Sequence, residues 1–264
     1  MILAQLLACA LAASHAAPQR VVSLAPSLTD IVLGVGTGDR LVGVSRFDDD
    51  ARVASLPRVG GLVDPNLEAV VRLHPDLVLA LDGAVEAPTL LALRQAGLRV
   101  LALRVDAPSD LAASVRAVSE ELGVPEAGER MRRNLDGQVA QVRARIQAEG
   151  RRMVRTAVVV GWRPLVLAGR GSYVQPLLEA AGGENVVATG LAWPTYSVEA
   201  MVAQAPEVIV DGSPEEADPA AEHLLGLLRA RGSRIVRLPS GDLFRPGPRA
   251  LHALPELEAA LRGP

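Results

Sequence analysis

The chain has 264 residues, 49% apolar and 22% charged, with a formal net charge of −3 and one cysteine, Cys9. This is the composition of one large or two modest globular domains with ample core. It excludes an intramolecular disulfide and argues against nucleic acid as a partner, because neutralising phosphates needs a clustered basic surface.

Residues 1–17 form an apolar, Ala/Leu-rich segment whose small-residue end, Ser14-His15-Ala16 before Ala17-Pro18, reads as the cleavage site of a secretory signal peptide. The segment is too short to span a bilayer. It has no basic start, so a buried first helix is the other reading. Leu6-Leu7-Ala8-Cys9 resembles a lipoprotein cleavage box, which would anchor the chain by lipid at Cys9.

After the leader, short apolar strands alternate with helices. Strands are predicted at 20–25, 40–45, 77–81 and 99–103, and helices at 28–35, 64–73, 89–96 and 109–122, with Ser27 and Asp30 spaced like a capping box. From Pro125 to Glu149 the apolar residues Ala127, Met131, Leu135, Val139, Val142 and Ile146 recur every three or four positions, which predicts one long amphipathic helix. Pro125 suits the first helical position and Gly150 the stop, and the helix would be roughly 35 Å long at about 1.5 Å per residue. Beyond it the alternation restarts, with strands at 155–160, 165–168, 186–188, 208–210 and 234–238 and helices at 173–181, 197–204 and 221–230.

The two halves also match in sequence. Pro26-Ser27 through Asp39-Arg40-Leu41-Val42 lies without gaps over Gly171-Ser172 through Glu184-Asn185-Val186-Val187, and Leu67-Glu68 through Leu77-Val78-Leu79 over Val198-Glu199 through Val208-Ile209-Val210. The predicted fold is therefore α/β: two similar parallel-sheet lobes, 18–124 and 150–264, bridged by the 125–149 helix, with a ligand cleft between them.

The six aromatic residues are Phe47, Trp162, Tyr173, Trp193, Tyr196 and Phe244. Five fall in predicted loops after strands and Tyr173 at a helix start, where α/β sheets bind ligands. Flat rings with a few polar groups suit a large, partly apolar ligand. Each ring taken singly could equally plug a loop. Glu68 and Glu199 open equivalent helices; favourable interaction with the helix dipole explains them, as does a symmetric pair of carboxylates offered to a two-fold partner. Catalytic motifs are missing: no Walker loop, no G-x-S-x-G elbow, no H-E-x-x-H. His74, His223 and His252 lack ligand spacing, and Asp48-Asp49-Asp50 reads as a solvated loop, so neither a catalytic residue nor a resident metal or cofactor is predicted.

The chain resembles the periplasmic substrate-binding proteins of ABC importers for vitamin B12, haem and ferric siderophores, most closely the branch that binds vitamin B12. The resemblance rests on Arg20–Ser27, Asp39–Ser45, Asn66-Leu67-Glu68, Pro75–Val78, Ala181–Asn185, Trp193–Glu199 and Asp242–Arg245. It implies a rigid bridging helix and a monomeric, non-enzymatic periplasmic protein that delivers a corrinoid, cobalamin or cobinamide, to an ABC permease dimer. It implies that Glu68 and Glu199 dock on permease arginines, that Phe47, Trp193 and Phe244 wall the cleft, and that Asp242 and Arg249 bond to polar groups of the ligand. Leu62 and Leu81 stand where the B12 branch has tryptophans. Haem and ferric siderophores are the alternative ligands; Phe47 cannot ligate iron, so haem would need Tyr196 or Tyr173. A cleft enzyme is the remote alternative.

Overall fold

The computed structural model describes residues 16–213 and 219–263. Cys9 and most of the predicted signal segment lie outside the described residues. In the N-terminal lobe, β1 (Val21–Ser23), β2 (Leu41–Val44), β3 (Leu77–Leu81) and β4 (Val100–Leu103) form one parallel sheet in the order β2-β1-β3-β4. Its strands are continuously apolar because both faces are covered. Leu28, Ile31, Val115 and Val118 of α1 (Pro26–Gly34) and α4 (Pro108–Glu121) pack on one face, and Val70, Leu90 and Leu93 of α2 (Leu67–Arg72) and α3 (Ala87–Gln95) on the other.

One expectation fails here. Ser27 and Asp30 make no capping box: α1 starts at Pro26 after an extended Ala25, and both polar residues are buried inside it. Proline at N1 gives up a hydrogen bond that would be unmade anyway, so the helix begins without a side-chain cap.

The bridging helix α5 runs unbroken over Pro125–Ala148, and Gly150 adopts φ +62°, the left-handed stop that glycine takes without strain. Only Gly128 and Ile146 on it are fully buried, one near each end. Gly128 meets α4 so closely that a Cβ would lie 2.1 Å from Ser119 Oγ, and Ile146 packs against Gly182. The helix is thus pinned at its ends.

The C-terminal sheet is parallel, as expected, apart from one antiparallel edge strand. β5 (Val154–Trp162) pairs parallel with β7 (Gly183–Asn185) and β8 (Val208–Asp211), β8 pairs parallel with β9 (Arg234–Val236), and β6 (Leu165–Leu167) returns antiparallel onto β5. β7 lies earlier than the predicted 186–188, because Asn185 ends it: its side chain accepts from Val187 N and donates to Ala168 O, turning the chain. α6 (Val174–Ala180) covers one face, α7 (Val198–Ala203) and α8 (Pro219–Ala230) the other. A tail absent from the sequence reading, a 3-10 segment over Pro248–Ala253 and α9 (Leu254–Arg262), completes the α6 side and brings 248–253 against α1 of the other lobe.

Candidate functional site

The carboxyl ends of the parallel strands in both lobes give rise to the loops that carry most of the expected site residues. In the N-terminal lobe the chain leaves β2 into a tight turn, in which Ser45 Oγ donates to Asp48 Oδ2 (2.7 Å) and accepts from Phe47 N (3.3 Å). The turn throws Phe47 outward, 48% exposed, with the Arg46 guanidinium 5.1 Å over its ring and itself forked onto Asp64. A cation over an aromatic face is attractive, so the ring is held while presenting bare surface.

The opposite rim is a strap, residues 189–196, laid beside 165–171. Leu167, Gly169 and Gly171 donate backbone N–H to Pro194, Ala192 and Leu191, and Tyr196 N donates to Leu165 O. A Cβ on Gly171 would lie 2.1 Å from Gly190 O, so only glycine admits this approach. The strap fixes Trp193, whose Nε1 donates to Asp106 Oδ1 of the N-terminal lobe (2.9 Å) and whose ring meets Tyr173 edge-on at 5.6 Å. Tyr173 is buried, donates its hydroxyl to Leu243 O (2.9 Å) and takes Asp106 O on its backbone N–H; burial pushes its phenol well above the usual range. Phe244 closes this wall from a 3-10 turn, Asp242–Phe244, its ring seated on Gly212, where a Cβ would lie 2.0 Å away.

Tyr196 is not with these rings. It packs on the opposite face of the C-terminal sheet, beside the core that holds Trp162. Trp162 is also no loop residue: it is buried at the end of β5 and donates to Asp211 (3.1 Å).

Asp242 and Arg249 are brought together, but by protein charges. Arg249 lies 3.6 Å from Asp242 and reaches across to Asp49 (2.7 Å), which Arg245 grips with both nitrogens (2.7 Å each). The Asp48–Asp50 run is therefore no solvated loop: Asp48 is buried, Asp49 ties the lobes together, and Asp50 caps the 3-10 turn at 51–53 and pairs with Arg52. Burial pushes the Asp49 carboxyl up, but Arg245 and Arg249 outweigh it and hold it below the usual range. Asp30, buried below in α1, has no such partner among the described residues; desolvation, offset in part by Arg249, raises it to about 7. Burial likewise raises Asp48. Asp49, Asp106 and Arg245 bond across the lobes, and sequence reasoning gave none of them a site role; two arginines four apart, with an acid-rich loop in the other lobe, were the available signal.

Glu68 and Glu199 sit in the first turns of α2 and α7. Asn66 and Ser197 cap these helices by accepting from Ala69 N (3.0 Å) and Ala200 N (3.1 Å). Both glutamates are exposed; Glu68 pairs with Arg72 on its own helix. Hydrogen bonds from its own backbone N–H and from Ser197 hold Glu199 below its usual range. Among the described residues no group of three or more His, Cys, Asp or Glu could hold a metal ion, and no helix is long and apolar enough to cross a membrane.

Residues 21–226 match the model of a family described as periplasmic binding protein. The vitamin B12-binding protein of Vibrio parahaemolyticus is 28% identical over 243 residues, 90% of this chain and 88% of that one. A periplasmic heme-binding protein from Pseudomonas aeruginosa has a similar structure, with TM-score 0.80 and 27% identity over 92% of each chain. The periplasmic vitamin B12-binding protein of Vibrio cholerae gives TM-score 0.74 and 26% identity, covering 93% of this chain and 97% of that one. With more than half of its length matched by that model, the chain belongs to the periplasmic binding protein family.

Proposed function

We propose that the protein captures a corrinoid, cobalamin or cobinamide, between its lobes and delivers it to an ABC permease, without chemistry on the ligand. The state of Tyr173 carries the choice. A tyrosinate donor for haem iron would have to come from one of the two tyrosines of this chain. Tyr173 is buried with its hydroxyl committed to Leu243 O, and Tyr196 packs on the far side of the sheet. Phe47, at the exposed rim, has no donor atom. A corrinoid arrives with its cobalt held by its own ring nitrogens and asks for apolar walls and a few polar partners, which Phe47, Trp193 and Phe244, with Asp242 and Arg249, supply. The relatives named vitamin B12-binding proteins support the same ligand.

The second reading is haem, favoured by the likeness to the Pseudomonas aeruginosa heme-binding protein. It would require Tyr173 to give up its bond to Leu243 O. Titration of cyanocobalamin, cobinamide and haemin, followed by absorbance, separates the two. The corrinoid reading expects saturable one-to-one binding of at least one corrinoid. A sharpened, shifted Soret band with haemin, lost in Tyr173→Phe, together with no corrinoid binding, would reverse the choice.

In this reading the protein acts as a monomer in the periplasm after removal of residues 1–17, the lobes 18–124 and 150–264 flank a fixed 125–149 spacer, and Glu68 and Glu199, one per lobe, meet arginines of the two permease subunits. Reversing both charges should abolish ligand uptake in cells while leaving ligand affinity unchanged; unchanged uptake would remove the docking role.

A further inference from the structure

α5 is pinned at its ends and spans a hollow near its middle. On one side a cavity of about 390 Å³ opens among α4, α5, α6 and the 247–251 turn, lined by Leu111, Leu135, Val139, Tyr173, Leu177 and Leu251. This lies within the range of small-ligand pockets and is apolar in its body. Two charged residues stand at its rim, Asp136 and Arg143. Asp136 is engaged by Arg132 at 2.6 Å, but among the described residues no carboxylate pairs with Arg143. Burying apolar walls against an apolar tail is favourable, and an unpaired guanidinium beside them asks for an oxyanion, which it grips in a planar fork.

We propose that this hollow is a second binding site, separate from the inter-lobe cleft, for a small amphipathic anion: a carboxylate on a short alkyl or monocyclic body, with Arg143 receiving the carboxylate and Leu135, Val139, Leu177 and Leu251 enclosing the tail. Tyr173 is shared between the two places, since its ring lines the hollow and meets Trp193 edge-on.

The test is a titration of the mature protein with decanoate, and with decanol as the uncharged control, read by leucine-methyl NMR. Saturable shifts are expected at Leu111, Leu135, Leu177 and Leu251, with Leu191 on the strap unmoved. Arg143→Gln, at an exposed helix position, should weaken decanoate about tenfold and leave decanol unchanged. Ala140→Trp, which fills the hollow from α5, should abolish both. If that variant melts early, Arg143→Gln alone decides. Shifts centred on Leu191, displacement of decanoate by saturating cyanocobalamin, or equal affinity in Arg143→Gln would each overturn the proposal. The decanoate shifts and their loss in Arg143→Gln are read without any cleft ligand, so failure of the corrinoid reading would remove only the displacement arm and leave this result standing, and the reverse.

Discussion

At their bases the two lobes repeat almost bond for bond. His74 and Ala205 both take φ 45° and both precede a proline. The acid that follows closes the same joint in each: Asp76 N donates to Arg20 O and Glu207 N to Arg155 O, both at 2.8 Å, while their carboxylates accept from the backbone N–H of Arg20 and Arg155. The helix caps Asn66 and Ser197 are equally interchangeable. At the rims the likeness ends. The N-terminal lobe offers an acidic turn tied by Ser45 and by arginines of the other lobe, whereas the C-terminal lobe adds antiparallel β6 and a strap that carries an indole. Even the helices behind the rims differ: Asp30 of α1 matches Gln175 of α6, an amide that bonds to Asn185 (2.8 Å). The repeat builds the scaffold and places Glu68 and Glu199 alike; the divergence shapes the rims.

Giving α1 an amide like that of its counterpart should have the largest effect. The folded state holds a proton on Asp30 up to about pH 7, while the unfolded chain releases it near 3.8. Between these values the folded state binds more protons, so Asp30 lowers stability as pH rises, by up to about 4 kcal/mol once both states are ionised. Asp30→Asn should leave stability unchanged near pH 4 and raise it progressively to pH 8, measured by urea unfolding. Equal gains at both pH values would break the assignment.

Next come the glycines that let the rims approach. Gly171→Ala and Gly212→Ala each force a methyl into occupied space, against Gly190 O and the Phe244 ring, and should cost roughly 1–3 kcal/mol with a loss of ligand affinity. Gly190→Ala, with open space around it, should stay within about 0.5 kcal/mol of wild type. The caps test the repeat itself: Asn66→Ala and Ser197→Ala should each cost about 1 kcal/mol, with a clear inequality showing that the lobes are less alike than their bonds suggest. Smallest of all, Glu68→Arg and Glu199→Arg should barely move the melting temperature.

The scaffold was legible because it is local. Proline, a 3.6-residue apolar period and a closing glycine mark α5, and unbroken apolar runs mark β3 and β8. The tail was not, since Pro248 and Pro255 interrupt the spacing that would have marked 248–262 as helical. The cleft was legible only in part. Asp49 finds its arginines 196 and 200 residues away, and no local pattern encodes such a pairing. Trp193 and Tyr196 are three apart in an extended strap, where alternate residues face opposite ways, so grouping them by sequence proximity joined two sides of a sheet.

Under the proposed function, Phe47 and Trp193, one from each lobe, hold a corrinoid between them. Calorimetric titration of the purified protein with cyanocobalamin and cobinamide, beside Phe47→Ala and Trp193→Ala, examines this pairing. One-to-one saturation by at least one corrinoid is expected, weakened about tenfold or more in each variant. No heat and no saturation with either corrinoid at micromolar protein, or binding that ignores both substitutions, would contradict it.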